Sequence, residues 1–555
     1  MNTRLLIVLL SIAVLFNCAD KKKSERVNDV TSNIERPFVW EAANIYFLLT
    51  DRFNNGNPSN DINFDRTKET GKLRGFEGGD IKGITQKIEE GYFTDLGINA
   101  IWMTPIVEQI HGGTDEGTGL SYGYHGYWAK DWTSIDPNFG SKEDLKELVD
   151  AAHAKGIRII LDAVINHTGP VTEKDPVWPS EWVRTSPQCK YDNYENTIAC
   201  TLVKNLPDIR TDSDMEVSLP PQLVKKWKTE GRYEQEVAEL DAFFKRTGHP
   251  RAPRFYIMKW LTDYITDYGI DGYRCDTVKH TEESVWSEFK KECDYAFAEF
   301  KKNNPDKVID DNDFYLVGEV YNYGISGGKY FDFGDKKVNY FDNMFSSQIN
   351  FEFKWNAIEL SYETLFRKYD NKLSNDLKGY SVLNYVSSHD DGQPFDPKRE
   401  KPIEAGTKLL LSPGTSQVYY GDESARSLII EGTVGDATLR SLMNWDEFRE
   451  KQDILNHWYK LGQFRNNHPS VGAGKHQIIS ESPYVFSRTY SKDNYVDNVI
   501  VCLKESEEKV NIDVSSVFKD NEKIKDFYSG QNFVVKNGQV KTNTGHNLIL
   551  LESTK

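Results

Sequence analysis

Apolar and polar positions alternate in a regular order from residue 44 onward. Strand-like apolar runs occupy 44–50 (NIYFLLT), 98–103 (INAIWM), 158–165 (RIILDAVI), 270–276, 314–320, 344–351, 381–387 and 416–420. Helical spacing of apolar residues marks 81–96, 141–155, 254–268, 282–302, 357–369, 403–411 and 452–467. Ser141, with Asp144 three residues on, reads as a capping box in which Asp replaces the usual Glu, and Gly156 stops that helix. Eight strand-like runs, seven of them followed by a helical segment, predict an α/β fold, a (β/α)8 TIM barrel. The alternative is an open doubly wound sheet. No GxGxxG follows the first run, which counts against its dinucleotide-binding form.

The alternation breaks in three places. Residues 167–254 are polar, with Pro, Lys and Glu clusters, and read as an insertion between two parts of the barrel, 37–166 and 255–470. Beyond His468-Pro469, residues 471–555 alternate with period two and predict a C-terminal antiparallel β-sandwich domain. At the other end, Arg4 precedes the apolar run Leu5–Phe16, too short to span a bilayer. It reads as a signal peptide over 1–17. Asn17-Cys18 and a polar stretch follow, resembling a bacterial lipoprotein signal, with a lipid anchor to the membrane through Cys18 and a tether over 18–36. The alternative is simple secretion, with Cys18 lost or free. Either way the chain is expected to be exported.

Composition narrows the function classes. The chain has 555 residues, 28% of them charged, and a formal charge of -17. That acidity argues against binding a phosphate backbone, so no nucleic-acid partner is expected. Aromatics reach 13%, which argues against disorder. A mean hydropathy of -0.61 excludes a polytopic membrane protein. Cys189 and Cys200 share one polar segment and are free either to pair or to stay reduced, whereas Cys275, Cys293 and Cys502 fall in core elements.

In a barrel of this kind the site lies where strands end. Those ends carry Asp162, Asn166 and His167, then Arg274 and Asp276, then Glu319, then His389, Asp390 and Asp391. Singly, each has an ordinary reading as a helix cap or a satisfied polar group. Together they bring carboxylates, His and Arg from four strands to one rim. Cleaving a glycosidic bond needs two carboxyl groups, one to attack or activate water and one to protonate the leaving oxygen. Arg274 sets an opposite charge beside Asp276, while Glu319 has no basic neighbour in sequence and is free to keep a proton.

The segments DAVINH (162–167), GYRCDTVKH (272–280), VGEV (317–320) and SSHD (387–390), with GYHGYW (123–128), LPD (206–208) and PGTSQVYYGDE (413–423), resemble the alpha-amylase family, glycoside hydrolase family 13. The resemblance covers roughly residues 40–555. It implies a retaining, endo-acting hydrolase of α-1,4 bonds in starch or maltodextrin, a monomer acting on an α-glucan polysaccharide or oligosaccharide. It makes Asp276 the nucleophile, Glu319 the general acid/base and Asp390 the third carboxylate. Tyr127, Trp128, His167, Arg274 and His389 would contact the attacked glucose, and Lys279 and His280 the leaving-group side. Ser388 departs from the Asn usual before the His-Asp pair. A glucanotransferase, or another α-glucoside-active enzyme, shares the nucleophile. A silent glucan-binding lipoprotein should have lost one of the three carboxylates.

The same resemblance implies Ca²⁺ at one or two structural sites. The first would use Asn55, Asn57, Asn60, Asp61, the Gly78 carbonyl and Asp80, in a loop that otherwise reads as a solvated turn. The second, between barrel and insertion, would use Asn166, Asp208 and the His280 carbonyl, with a further ligand from 190–205 not placed. Hard oxygen donors of this kind suit Ca²⁺.

Overall fold

A computed structural model of the protein describes residues 36–506, 509–542 and 544–554. The signal peptide, nearly all of the tether and Cys18 lie outside the described residues. Eight parallel strands close into a barrel: β1 Asn44–Leu48, β2 Ala100–Met103, β3 Arg158–Ala163, β4 Gly272–Cys275, β5 Tyr315–Gly318, β6 Ser347–Asn350, β7 Ser381–Tyr385 and β8 Thr415–Tyr419. Each pairs with its chain neighbours and β8 returns to β1, with Asn44 opposite Ser416. The strands are buried along their whole length, as continuous apolar runs between two layers must be.

Every strand but β2 stops one or more residues before the end of the run that predicts it. The residues left over turn outward at the rim, and they are the ones that carry chemistry. Asp276 follows β4 directly and Glu319 follows β5. The capping box forms as expected: the Ser141 hydroxyl accepts from Asp144 N–H, and the Asp144 carboxylate accepts from Ser141 N–H. The helix expected over 81–96 breaks in two at Gly91, whose φ of 86° ends Ile81–Glu89 and starts Tyr92–Asp95.

Strand–helix alternation fails once. Between β5 and β6 the described residues hold a 3-10 turn, Ile325–Gly327, and a hairpin of Tyr330–Asp332 with Lys337–Asn339. Gly324, Gly327, Gly328 and Gly334 crowd this segment and disfavour a helix. Tyr323 and Phe341 are buried there and pack edge to face, filling the layer a helix would cover.

The insertion after β3 contains two helices, Pro221–Thr229 and Tyr233–Thr247, which the polar composition hid. It also contains a short antiparallel pair, Val183–Arg184 with Asp208–Ile209. Cys189 and Cys200 are joined by a disulfide within it. Cys275, Cys293 and Cys502 are buried free thiols. The C-terminal region is a six-stranded antiparallel sheet plus a two-stranded ribbon, Val510–Asp513 with Gln539–Thr542. The two share an apolar cluster that includes Val485, Ile500, Ile512, Val540 and Leu551. Arg488 ties this sheet to the barrel by donating to the carbonyls of Val471 and Leu411.

Candidate active site

The rim of β3, β4 and β5 is organised around one buried guanidinium. Nη1 of Arg274 is 2.7 Å from Asp276 Oδ1 and 3.0 Å from Asp162 Oδ1, and Nη2 is 3.4 Å from Glu319 Oε2. Parallel register puts Arg274 directly across from Asp162 on β3 and from Val317 on β5, so one side chain reaches three strands. The planar fork lets Nη1 and Nη2 serve carboxylates on three strands in one fixed geometry.

Asp162 in turn fixes the aromatic wall. Its Oδ2 accepts from Tyr127 Oη at 2.8 Å and Trp102 Nε1 at 3.2 Å. Tyr127 lies nearly parallel to the His389 ring, with centroids 5.4 Å apart, and His167 Nε2 meets the Tyr127 carbonyl at 3.1 Å. Burial pushes His167, His389 and His125 down from their ordinary value, so all three are neutral near pH 7. A neutral imidazole offers one donor and one acceptor, a suitable match for sugar hydroxyls.

Glu319 lies in a different electrostatic setting. Burial, then the nearby charges of Asp276 and Asp390, push its carboxyl up to about 8, against the pull of Arg274. Thr277, held in the left-handed region at φ 49°, aims its N–H at Glu319 Oε2 from 2.8 Å. A non-glycine residue in that region is costly and marks a constrained position. With Oε2 occupied, Oε1 is left to carry the proton. Asp390 is also raised, first by burial, and its side chain is about 32% exposed at the rim. Ser388, where the family has Asn, places its hydroxyl 3.4 Å from His389 Nδ1.

Asp276, Asp390, Tyr127, Trp128 and His389 all line a single cleft of about 1080 Å³. Trp128 contributes little open surface: it is buried against Ile110 and Leu206 and is more a wall than a platform. Lys279 and His280 sit on the 3-10 turn after β4. Lys279 Nζ donates to the Tyr321 carbonyl, and burial lowers its pKa. His280 Nδ1 meets the Thr197 carbonyl of the disulfide-closed loop at 3.0 Å.

Sequence reasoning missed part of the cleft. Arg74, His125, Asp436 and Arg440 also line it. Asp436 joins Arg74 at 2.8 Å and Arg440 at 2.6 Å, and Arg440 Nε donates to the His389 carbonyl. His125 was within reach, because it sits inside GYHGYW. Arg74, Asp436 and Arg440 belong to loops far from any predicted strand end, and only the fold gathers them.

The loop expected to hold calcium is rich in amide and carboxylate oxygens. Asp61 accepts from Asn55 Nδ2 at 2.9 Å, and the buried Asn60 Oδ1 has no protein partner. Gly78 has φ +91°, and a Cβ there would meet Asn55 Nδ2 at 2.5 Å and Asp61 at 2.9 Å, so its backbone must approach those side chains bare. Asp80 pins the loop by accepting from the N–H groups of Gly56, Asn57 and Gly83. This donor set fits a hard cation. The second expected set is arranged otherwise: Asp208 is ion-paired with Arg184 at 2.9 Å, and Asn166 Oδ1 accepts from Thr281 Oγ1.

Comparison with known proteins gives a consistent picture. The family model for the alpha-amylase catalytic domain matches residues 47–463. The periplasmic alpha-amylase of Escherichia coli K12 is 34% identical over 519 residues, covering 82% of this chain and 72% of that protein. A cyclomaltodextrin glucanotransferase of Thermoanaerobacterium thermosulfurigenes is 26% identical, covering 88% of this chain and 63% of that longer protein. In fold, the alpha-amylase of Geobacillus thermoleovorans, solved with acarbose, superposes with a TM-score of 0.64 at 22% identity, covering 94% of this chain and all of that one.

Proposed function

Because the chain belongs to the alpha-amylase family, we propose that this glycoside hydrolase is a retaining, endo-acting enzyme that cuts α-1,4-glucosidic bonds of starch and maltodextrins. The observation that carries the reading is the shared guanidinium of Arg274, which touches Asp276 and Glu319 together. A retaining reaction needs its two carboxyl groups about 5–5.5 Å apart, one charged and one protonated.

Asp276 attacks the anomeric carbon as Glu319 passes its proton to the leaving oxygen. The C–O bond breaks, the chain fragment departs with the proton, and a glucosyl ester forms on Asp276. Glu319, now a carboxylate, takes a proton from water, which attacks the same carbon and frees Asp276. The α configuration is kept because inversion happens twice. Asp390, His167 and His389 hold hydroxyls of the attacked glucose, with Tyr127 stacked beneath it. Trp128 walls that subsite. Lys279 and His280 face the leaving chain.

We further propose Ca²⁺ in the loop of Asn55, Asn57, Asn60, Asp61, Gly78 and Asp80. There the ion would fasten the loop, taking no part in bond cleavage. Export fits the disulfide at Cys189–Cys200. A lipid on Cys18 would hold the enzyme to the cell envelope as a monomer, and Cys18→Ser should then move it from the membrane to the soluble fraction.

The test is maltoheptaose or soluble starch followed by NMR of the new reducing ends. Fresh α-anomers at internal cleavage sites support the proposal. β-Anomers appearing first would refute retention, and release of a single product from chain ends would refute endo action. The second reading, a glucanotransferase, draws on the 26% identity to one such enzyme. It predicts coupled or cyclic products in place of net hydrolysis.

A further inference from the structure

The joint between the barrel and the segment after β3 is drawn together at Asp208. Asp208 is 2% exposed and bridges backbone to His167 in the antiparallel sense. The next residue, Ile209, donates its N–H to the Asn166 carbonyl at 2.8 Å. So the strand bearing Asp208 lies directly against the peptide that supplies His167 to the cleft, and His167 meets the Tyr127 carbonyl. Whatever neutralises Asp208 therefore helps to set the attacked-sugar subsite.

Arg184 is placed for that task. Its Cα is the register partner of Asp208. Its side chain is 10% exposed, and Nε is 2.9 Å from Asp208 Oδ2. Nη2 bonds Asp212, and Nη1 donates to the Ala199 carbonyl at 2.9 Å. Those partners are an acid from the LPD segment, a second acid, and a carbonyl from the stretch between 190 and 205. They are the same classes of oxygen, from the same segments, that a calcium ion at this joint would draw on. The other expected donors are engaged as well. Asn166 Oδ1 accepts from Thr281 Oγ1, and the disulfide-closed loop reaches the β4 turn through Thr197 and His280.

We propose that Arg184 is the resident cation of this joint, and that its guanidinium does there what a bound calcium ion would otherwise do. A guanidinium is always charged, offers five donors in a fixed plane and suits a buried site with several oxygen partners. A divalent ion added beside it would face a like charge at short range in a poorly solvated place. Asp208 and Asp212 face Arg184, with Glu282 and Arg210 close behind, so the joint holds three acids to two arginines and depends on Arg184 for most of its compensation. Arg184 is thus a positioning residue acting through Asp208 and His167, and the joint keeps its shape without metal.

The test counts calcium on the full mature protein. Chelator-treated wild type, Asp208→Asn and Arg184→Ala are titrated with Ca²⁺ by calorimetry, and melting temperatures are read in EDTA and in calcium. Wild type and Asp208→Asn should bind the same number of ions. Arg184→Ala should melt about 5 °C lower in EDTA, as loss of one partner of a buried ion pair predicts. An ion lost on Asp208→Asn, or an Arg184→Ala protein that melts in EDTA at the wild-type temperature, overturns the proposal. Should Arg184→Ala not fold, the count on wild type against Asp208→Asn still decides. If wild type binds no calcium at all, the loop site proposed above fails and the present inference stands.

Discussion

Arg274 and Asp276 are two residues apart in the chain, and their charged atoms meet at 2.7 Å while the intervening Cys275 points into the core. Alternation along β4 puts both on the inner side of the rim. Because the same guanidinium also serves Asp162 and Glu319, Arg274→Lys should be far from conservative. An ammonium on a lysine stem cannot reproduce the planar spacing of Nη1 and Nη2 that reaches Asp162, Asp276 and Glu319, so kcat should fall by about 10²-fold or more. Melting temperature should fall too, since Asp162 is left buried without its partner. Full activity in this variant would remove the guanidinium from the mechanism.

Glu319 sets the alkaline limit. Its proton is needed for the leaving group and its carboxyl is pushed up to about 8. The rate term kcat/KM should therefore fall tenfold per pH unit above about 8. Glu319→Gln should lower kcat about 10³-fold and remove that limb, with maltoheptaose binding retained. Stability has a defined sign here. The folded state holds this proton more tightly than the unfolded chain, so the contribution is present at low pH and lost as pH rises toward 8. Glu319→Gln should accordingly melt higher than wild type at pH 9.

Asp436 bridges Arg74 and Arg440 in the cleft wall, away from Asp276. Asp436→Ala should raise KM for maltoheptaose about tenfold and leave kcat within about threefold, the signature of lost uniform binding. An equal fall in kcat would place Asp436 in the bond-breaking step.

Chelation gives a separate handle. If the loop around Asp61 binds calcium only when folded, EDTA should lower the melting temperature by an amount that grows with the logarithm of calcium concentration. Asp61→Asn should abolish that dependence without changing kcat at temperatures well below melting.

Reduction of the disulfide should loosen the loop that carries Thr197. Cys200→Ser opens a closure of eleven residues and should cost about 3 kcal/mol by loop entropy. Thr197 backs His280 on the leaving-group side, so KM should rise more for long substrates than for short ones. Cys275, Cys293 and Cys502 are buried and should resist thiol reagents in the folded protein.

The barrel was legible because each strand is buried on both faces and so reads as an unbroken apolar run, Arg158–Ala163 being the clearest. The charged rim was legible for the same reason: Asp276, Glu319 and Asp390 stand just past such runs, where apolar chain gives way to charge. The insertion's helices were not legible. Their buried residues, Trp227 and Phe243 among them, are interleaved with solvated Lys and Glu in a segment of polar composition. The gap in the helical pattern between β5 and β6 was legible, since no helical spacing falls between 320 and 344.

Sequence by itself determined the order of strands and the approach of Asp276, Glu319 and Asp390 to one rim, because burial and register act along the chain. Tertiary structure alone decided which charges pair. Arg184 with Asp208, Arg74 with Asp436 and Arg274 with Glu319 come from distant segments or separate strands. Arg440 and Asp436 are local to each other, yet only folding brings them to His389. Coulomb attraction and desolvation depend on distance in space and on who else is buried nearby, and neither quantity is written in the spacing of residues.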